Sequence, residues 1–570
     1  MGEDGRFETY HRYEALTRLL HSMANAHPKL LRVDRIGNSH EGRPIWVATV
    51  THFETGPDTD KPAFWVDGNI HATEVAPSTA CLYLIHALIE GHAKDEDTRR
   101  CLDTRVFYIC PRVNPDGAEL ALADRPRYLR SSTRPWPWDE DPVAGLVVED
   151  IDGDGRILTM RVPDSNGNWK VCEQDPRLLV PREPTEVGGR YFRVLPEGSL
   201  LGFDGYQIQI NPHKEGLDLN RNFPAGWRTE SEQKGAGPFP TSEPEVRCVV
   251  EFISEHPNIT GATSFHTFSG VLLRPFSDKD DAQMPTEDLR AYTRIGEKAT
   301  AITGYPCLSV FHDFRHDPKS VITGAFDDWA YEHLGIFAWT VELWSPCQQA
   351  GITGYKVVDW FREHPLEDDL KLLAWSDSEL DGKGYVDWSP FDHPQLGPVE
   401  IGGWDSMYSL RNPPKHKLLA EIEPFPRWLV WHLLISPRLE LVDVDVKHIR
   451  QDVHLIRMVV QNTGWLPTTV TAQARARGLV REMTFDLTLP EGAALVGCSS
   501  RQKRGQLDGR STKASTPGAD PTTDRAMAEW LVQANAGARL AIRAHHERAG
   551  AVNVEVTIGG AASSPDDPAA

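Results

Sequence analysis

Short apolar segments alternate with helix-like segments along the first two thirds of the chain, and this alternation restricts the possible folds more than any other feature. Predicted strands cover residues 45–51, 63–70, 106–113, 259–268 and 337–344, and predicted helices cover residues 10–26, 74–91, 242–255, 286–302 and 354–376. Buried strands that alternate with amphipathic helices form a mixed, mostly parallel sheet covered on both faces. The sequence therefore predicts an α/β fold, with polar site residues at the ends of the strands.

The length of the chain and a change of pattern near residue 439 predict a second domain. The 570 residues exceed the roughly 250–300 over which one core normally grows. From Leu439 onwards polar and apolar residues alternate with period two, which is typical of strands. Further strands are predicted at residues 453–461, 468–476, 481–489, 539–545 and 552–558. We expect a first domain over 1–415, a linker over 416–438, an all-β sandwich over 439–558 and a flexible tail over 559–570, with a mobile loop at 499–524.

The first domain carries a long insertion at about residues 131–215, rich in Trp, Pro, Gly and Asp. We expect it to form a β-rich flap beside the cleft. Asp150, Asp152 and Asp154 have the first carboxylate spacings of a calcium-binding loop. However, Arg161 occupies the twelfth position, where a calcium loop needs a bidentate Glu. A plain hairpin turn is therefore favoured over calcium binding.

A metal site is the most specific chemistry that the sequence predicts. His71 and Glu74 follow an apolar run and precede a helix-like segment, which places an imidazole and a carboxylate on one side of a turn. His266 lies near the end of another apolar strand and is the best candidate for a third ligand. Two imidazoles and one carboxylate leave Zn²⁺ an open position for water, as in catalytic sites. A single HxxE motif is weak evidence, because isolated histidines are more often surface or core residues.

Four more segments make the metal prediction specific. Asn114–Gly117 is a dense turn sequence that follows a buried strand, and Arg127 and Arg130 come shortly after it. The segment Asp218-Leu219-Asn220-Arg221-Asn222-Phe223 lies further along the chain. Glu342 is placed between apolar residues in a strand, where a carboxylate is costly unless it has a role.

In this order, the segments resemble the zinc metallocarboxypeptidases of the carboxypeptidase A type, over roughly residues 5–380. The resemblance implies an enzyme that hydrolyses the C-terminal bond of peptides with a free C-terminus. It assigns one catalytic zinc ion to His71, Glu74 and His266, the general base towards zinc-bound water to Glu342, and polarisation of the scissile carbonyl to Arg130. The resemblance also implies that Asn220 and Arg221 bind the terminal carboxylate of the substrate, with Arg127 adding positive charge nearby.

Two positions need separate interpretation. Ser320 stands where the resembling family carries a mobile Tyr, so substrate closure or proton donation must differ. His312 or His316 is a candidate substitute, although a hydrated loop histidine is the simpler interpretation of both. Asp327 stands at the base of the family's pocket for the C-terminal side chain, where an Asp goes with a preference for Lys or Arg. The alternative is that Asp327 caps a helix running to about His333.

Charge and composition limit the partners and the location. With 60 basic and 82 acidic side chains, the net charge of −22 argues against nucleic acid as a partner. The N-terminus lacks the basic and apolar regions of a signal peptide, and no apolar run approaches the ~18 residues of a membrane span. The eight cysteines are scattered without CxxC spacing. We therefore expect a cytoplasmic protein with reduced cysteines and no membrane contact; the oligomeric state is not predicted.

Two other functions stay open at this stage. One is a zinc amidase or deacylase that acts on N-acyl amino acids or cell-wall peptides, because such substrates also end in a carboxylate that Arg221 could bind. The other is a non-catalytic binding protein whose β domain mediates assembly. Glu342 argues against the binding protein, since ligand recognition alone does not require a base.

Overall fold

The computed structural model describes residues 3–137, 144–315, 317, 319–514 and 516–559. Its strands are β1 Leu31–Asn38, β2 Pro44–Val50, β3 Ala63–Gly68, β4 Val106–Cys110, β5 Gly145–Val148, β6 Thr159–Pro163, β7 Trp169–Val171, β8 Leu179–Pro181, β9 Tyr191–Pro196, β10 Gly198–Leu201, β11 Ile259–Thr267, β12 Val271–Arg274, β13 Cys307–Ser309, β14 Phe337–Leu343, β15 Tyr385–His393, β16 Gly397–Trp404, β17 Leu439–Arg450, β18 Val453–Asn462, β19 Met483–Thr488, β20 Ala494–Leu495, β21 Arg501–Arg504, β22 Arg525–Gln533, β23 Arg539–His546 and β24 Gly550–Thr557.

The α-helices are α1 Tyr13–Ala26, α2 Ala76–Lys94, α3 Glu96–Thr104, α4 Pro115–Ala121, α5 Pro244–Glu255, α6 Thr286–Thr303, α7 Val310–Asp313, α8 Phe326–Trp329, α9 Pro346–Gln349, α10 Val357–Arg362, α11 Leu366–Glu379, α12 Lys415–Ile422, α13 Phe425–Leu434 and α14 Ala472–Arg477. Short 3-10 helices cover Glu3–Arg6, Phe53–Thr55, Asp58–Asp60, Leu219–Arg221 and Asp281–Gln283, and π-helical turns cover Ala330–Leu334 and Ser406–Arg411.

An eight-stranded mixed sheet forms the centre of the larger domain, in the order β1-β2-β4-β3-β11-β14-β12-β13. The central strands β4, β3, β11 and β14 are parallel to one another. The pairs β1–β2, β2–β4 and β12–β14 are antiparallel. This arrangement confirms the predicted mixed, mostly parallel sheet. It also brings the carboxyl ends of β3, β11 and β14 to one edge, where the candidate site residues lie.

The central strands β3, β4, β11 and β14 are buried on both faces, which explains why β3 and β4 are apolar along most of their length rather than alternating. In β3, Phe64 and Val66 pack into a core that α2, α6 and α13 cover. Ala63 and Trp65 point to the opposite face, where they pack with α5 and the residues around α8. Because a strand directs successive side chains to opposite faces, one short segment contributes to two cores.

The insertion is β-rich, as predicted, but it does not form its sheet alone. Strands β6 to β9 join β15 and β16 in a six-stranded antiparallel sheet of order β15-β16-β6-β9-β7-β8, while β5 and β10 pair separately. Arg161 in β6 forms a 2.8 Å ion pair with Glu400 in β16 across this junction. The hairpin of β15 and β16 therefore completes a sheet that begins more than 200 positions earlier in the chain.

The expected linker at residues 416–438 is not a linker in the structure. It contains most of α12 and all of α13, and their apolar side chains pack into the core of the first domain. Trp428 and Leu429 of α13 are completely buried. The apolar residues of this stretch recur with a helical period, and the resulting apolar face is buried against α2 and α6.

The C-terminal region confirms the predicted all-β sandwich. Two four-stranded sheets, β17-β18-β22-β20 and β21-β19-β23-β24, enclose a separate apolar core. Residues 468–476 were expected to be a strand, but the structure has a loop followed by α14, and Thr471 caps this helix by accepting a hydrogen bond from Ala474 N. The expected mobile loop at 499–524 contains β21, and β22 follows it. The expected flexible tail lies outside the described residues, apart from Gly559.

The C-terminal region contacts the first domain through apolar and polar groups. Leu466 and Val470 pack into the core of the first domain. The buried Arg548 guanidinium donates to Gly335 O of the first domain at 3.1 Å and to Thr469 O of its own region at 2.8 Å. Asp288 in α6 accepts a 2.7 Å hydrogen bond from Ala472 N at the start of α14. In the described part of the chain, no helix combines the length and the apolar character needed to cross a membrane.

Candidate active site

The three predicted metal ligands lie together at the carboxyl ends of two adjacent parallel strands. His71 and Glu74 are in the loop between β3 and α2, and His266 is the penultimate residue of β11. His71 Nδ1 lies 2.9 Å from Glu74 Oε1, and His266 Nδ1 lies 3.0 Å from Glu74 Oε2. The two Nδ1 atoms are 3.1 Å apart, and all three side chains are buried. Their ligand atoms are close enough to share one metal ion.

The surroundings of the two imidazoles fit a zinc ion. His71 turns its other nitrogen, Nε2, towards Asp218 Oδ1 at 3.2 Å. His266 Nε2 lies 3.2 Å from Ser264 Oγ, which donates to Asp67 Oδ1 at 2.6 Å. A polar partner on the far nitrogen fixes the ring orientation and leaves Nδ1 for the metal. Two imidazoles and one carboxylate match the donor set of catalytic zinc sites.

Arg130 is held beside the ligands by two carboxylates. Its Nε donates to Asp218 Oδ2 at 3.0 Å, and its Nη1 lies 3.4 Å from Glu74 Oε1. Burial lowers the pKa of Arg130, but Asp218 and Glu74 raise it above its ordinary value. Burial raises the pKa of Asp218, but Arg130 and Arg221 hold it well below its ordinary value. Asp218 therefore orients one imidazole and one guanidinium at the same time.

Glu342 reaches the site from the next strand. In the parallel pairing of β11 with β14, Glu342 lies directly opposite His266. It lines the same pocket as the three ligands. Burial and the nearby Glu74 carboxylate raise the pKa of Glu342 well above its ordinary value. A carboxylate with a raised pKa that lines the same pocket as the ligands has the properties of a general base or acid.

Asn220, Arg221 and Asp327 line another part of the pocket. Asn220 Oδ1 accepts a 2.9 Å hydrogen bond from Phe326 N, which fixes the segment that contains Asp327. Arg221 Nη1 donates to Asn220 O at 2.6 Å. Asp327 Oδ2 lies 3.3 Å from Thr340 Oγ1, and burial raises the pKa of Asp327.

The capping interpretation of Asp327 does not match the helix geometry. The helix begins at Phe326 with Ala325 at its N-cap, so Asp327 lies inside the first turn. Its Oδ1 accepts from the neighbouring Asp328 N at 3.0 Å, and its Oδ2 is directed to Thr340 of β14. Asp327 is therefore a buried carboxylate that faces the pocket.

Several predicted residues are not brought to the site. Arg127 does not line the pocket; it is half-exposed and pairs with Glu215 at 3.1 Å. Ser320 is exposed and lies outside the pocket wall. His312 is also exposed, with its Nε2 3.4 Å from Asp281 N. His316 lies outside the described residues. The structure therefore offers no described substitute for the family's mobile Tyr at these positions.

Calcium binding at Asp150, Asp152 and Asp154 is not supported. Asp150 and Asp152 cluster with Glu197, but Asp154 is not part of this group. Both oxygens of Asp154 accept from Arg156, with Oδ2 2.8 Å from the Arg156 Nε. Glu197 accepts from Ile151 N and Leu158 N, each at 2.8 Å. The carboxylates serve the backbone of a tight turn. This turn is not the hairpin expected from the sequence, because β5 pairs with β10 while β6 pairs with β16 and β9.

Sequence reasoning missed one charged residue of the pocket wall. Arg411 lies in the turn Ser406–Arg411, far from every motif, and its Nη1 donates to Thr73 Oγ1 at 2.6 Å. Phe361 of α10 is a second wall residue that no motif marks. None of the described residues of the insertion lines the pocket. The pocket encloses about 410 Å³, a volume within the range for small-ligand sites.

The fold and the site together define an α/β protein with a buried two-histidine, one-carboxylate centre at the edge of a mixed sheet. The sequence matches the zinc carboxypeptidase family over residues 16–172 and 193–356, which is more than half of the chain. The chain therefore belongs to the zinc carboxypeptidase family. Residues 438–557 match a domain of unknown function, DUF8731.

Similar proteins include carboxypeptidase A1 of Sus scrofa, 24% identical over 343 residues, with 59% of this chain and 63% of the relative aligned. Carboxypeptidase B of Astacus astacus is 26% identical over 351 residues, covering 59% of this chain and 86% of the relative. The solved structure of thrombin activatable fibrinolysis inhibitor is 21% identical, covers 60% of this chain and 68% of that chain, and has a TM-score of 0.38. The chain thus aligns with less than two thirds of the length of the carboxypeptidase A1 relative.

Proposed function

We propose that this protein is a zinc-dependent carboxypeptidase that hydrolyses the C-terminal peptide bond of peptides. The observation that carries the proposal is the convergence of His71, Glu74 and His266 next to Glu342 and Arg130 in one pocket. A metal site alone would serve many functions. The partly buried carboxylate of Glu342 and the Arg130 guanidinium in the same pocket would supply the proton transfer and the charge stabilisation that hydrolysis of an amide needs.

His71, Glu74 and His266 would hold the zinc ion. When bound, zinc lowers the pKa of a water molecule towards neutrality and polarises a carbonyl oxygen. Glu342 would take a proton from the attacking water and return it to the amine that leaves. Its position opposite His266 and its raised pKa support this role. Arg130 would donate hydrogen bonds to the carbonyl oxygen as negative charge develops there.

Arg221 would bind the free carboxylate at the end of the substrate. A planar guanidinium matches a carboxylate with two parallel hydrogen bonds, and Arg221 lies in the pocket wall with its Nη1 bound to a backbone carbonyl rather than to an acid. Asn220 lies beside it and orders the Phe326 segment. This pair would select chain ends over internal peptide bonds.

Asp327 supports a preference for Lys or Arg at the C-terminal position. Its carboxylate is buried, faces the pocket and has no basic partner within 4.0 Å among the described residues. A substrate guanidinium or ammonium would relieve the cost of burying this charge.

The test is hydrolysis of N-acylated peptides that end in Arg, Leu or Glu, with mass spectrometry of the products. We expect release of the last residue from peptides with a free C-terminus, little release from the same peptides with an amidated C-terminus, and the fastest release of Arg. Glu342→Gln should keep the bound metal and lower kcat by about 10²–10⁴-fold.

Glu255→Gln is the matched control, because Glu255 is an exposed carboxylate at the end of α5. Internal cleavage, or an equal loss of rate in both variants, would contradict the proposed function. Equal rates for the three terminal residues would contradict the basic preference alone.

A further inference from the structure

A segment outside the matched family region completes the pocket. Residues 405–412, which we term the 405–412 segment, follow β16 and lie beyond the family match, which ends at residue 356. Asp405 begins its turn by accepting a 3.1 Å hydrogen bond from Tyr408 N. Arg411, near the other end, lines the pocket together with the metal-ligand residues. This part of the chain therefore adds a charged group to a site that the family region builds.

The 405–412 segment is fixed to the active-site loops by several hydrogen bonds. The fully buried Asn412 accepts from Val75 N at 2.9 Å and from Ala76 N at 3.0 Å, and it donates to Thr73 O at 2.8 Å. Trp344, two residues after Glu342, donates from its indole Nε1 to Ser409 O at 2.9 Å. These contacts tie the segment to the loop that carries Glu74 and to the strand that carries Glu342. Arg411 therefore has a defined position.

The three arginines of the pocket differ in how their charge is compensated. Arg130 is paired with Asp218 at 3.0 Å and lies 3.4 Å from Glu74. Among the described residues, neither Arg221 nor Arg411 has a carboxylate within 4.0 Å of its guanidinium, and their hydrogen bonds go to Asn220 O and Thr73 Oγ1. Burial lowers the pKa of both, which indicates that each charge is held without full compensation. Both guanidinium groups are thus available to an anion in the pocket.

Arg221 and Arg411 are held in different parts of the pocket wall. Arg221 binds Asn220 O, and Asn220 in turn accepts from Phe326 N at the start of α8. Arg411 binds Thr73 Oγ1 in the loop between β3 and α2. With Arg221 on the terminal carboxylate and Arg130 at the scissile carbonyl, as in the proposed function, Arg411 would be left for the acyl part of the substrate.

We propose that Arg411 forms a second anion-binding subsite, which takes a carboxylate on the acyl-side residue, as in a substrate with Asp or Glu immediately before the scissile bond. This inference rests on the proposed function, because it uses the terminal carboxylate as the other anchor. The guanidinium of Arg411 would bind the side-chain carboxylate with charge-assisted hydrogen bonds. Thr73 Oγ1 would keep Arg411 directed towards the pocket.

The kinetic test compares the peptides N-acetyl-Gly-Glu-X and N-acetyl-Gly-Gln-X, with X as either Arg or Leu. These peptides differ only in the charge of the penultimate side chain. We expect the wild-type protein to prefer the Glu peptide by about 10- to 100-fold in kcat/KM, as for a charge-assisted contact. Arg411→Gln should reduce this ratio to about one, and Arg411→Lys should restore part of it. Arg18→Gln, which removes an exposed arginine of α1, should leave the ratio unchanged.

A binding arm separates this inference from the proposed function. Zinc-loaded Glu342→Gln protein is titrated with the same peptides by calorimetry, alone and combined with Arg411→Gln. We expect a Kd for the Glu peptide about 10-fold or more below that of the Gln peptide, and loss of this difference in the double variant. Equal affinities for the two peptides, or a difference that survives Arg411→Gln, would overturn the subsite. Unequal affinities without hydrolysis by the wild-type protein would support the subsite and reject the peptidase.

Discussion

Two clusters of ligand-type side chains in the first domain contrast sharply. The cluster of His71, Glu74 and His266 is buried at the sheet edge, and its facing atoms lie close to one another. The cluster of Asp150, Asp152 and Glu197 lies in a turn of the insertion, and its oxygens accept backbone N–H groups such as Gly153 N and Leu158 N. Proximity of carboxylates or imidazoles is therefore insufficient for a metal site. In the sheet-edge cluster Glu74 Oε2 also accepts from a backbone group, Thr267 N at 3.2 Å, but the Nδ1 atoms of both imidazoles face Glu74 and each other.

The largest expected effect comes from removing one ligand of the sheet-edge cluster. His266→Ala should lower the metal content from about one ion per chain to near zero and reduce peptide hydrolysis by at least about 10³-fold, because two remaining ligands cannot hold zinc at a catalytic position. Metal analysis after dialysis and a kcat measurement check this. His312→Ala is the matched control, since His312 is exposed and outside the pocket. If the His266→Ala variant retained its metal, His266 would not be a ligand.

A smaller effect should follow from changing the partner of one ligand. Asp218 accepts from Arg130 and holds the far nitrogen of His71, so Asp218→Asn should weaken zinc binding by about 10- to 100-fold. Competition with a chelator of known affinity measures this change. The corresponding substitution Asp150→Asn in the insertion should leave zinc affinity unaltered. A similar loss in both variants would mean that the effect is general destabilisation.

The stability of the wild-type protein should depend on pH differently from that of Glu197→Gln, because Glu197 has a raised pKa in the folded protein. Burial raises the pKa of Glu197 from its ordinary 4.5 to about 7 in the folded protein. A carboxyl group with a raised folded pKa favours folding fully below pH 4.5, and this contribution is lost as the pH rises through 7. The Tm of the wild-type protein minus the Tm of Glu197→Gln should therefore fall by about 2–4 °C between pH 5 and pH 8. A difference that is constant with pH would show that Glu197 stays charged throughout.

The smallest expected effect is the response to calcium. Because the oxygens of Asp150 and Glu197 already accept backbone hydrogen bonds, millimolar calcium should change the Tm of the wild-type protein by less than about 1 °C. Asp152→Asn, measured in parallel, should show the same response. If calcium raised the Tm of the wild-type protein and Asp152→Asn abolished this rise, the acidic turn would be a calcium site. The two clusters would then both bind metal.

Sequence patterns alone were enough to predict the α/β class and the sandwich, because apolar runs and period-two alternation identify strands. The ligand set His71, Glu74 and His266 rested on the spacing of the motifs together with their resemblance to the zinc metallocarboxypeptidases. Glu342 could also be predicted from the sequence as a functional residue, because a carboxylate inside an apolar strand is costly without a role. Arg127 shows the limit of this reasoning, since its proximity in sequence to Arg130 does not bring it into the pocket.

The segments that complete the site from distant parts of the chain could be identified in the folded structure alone. Arg411 and its partner Thr73 are 338 positions apart, and nothing in the local pattern around either residue reports the contact. The same holds for β15 and β16, which finish the sheet of the insertion, and for α12 and α13, which looked like a linker. Such contacts depend on the packing of complete surfaces, and the pattern of a single segment identifies its buried face without identifying the surface that covers it.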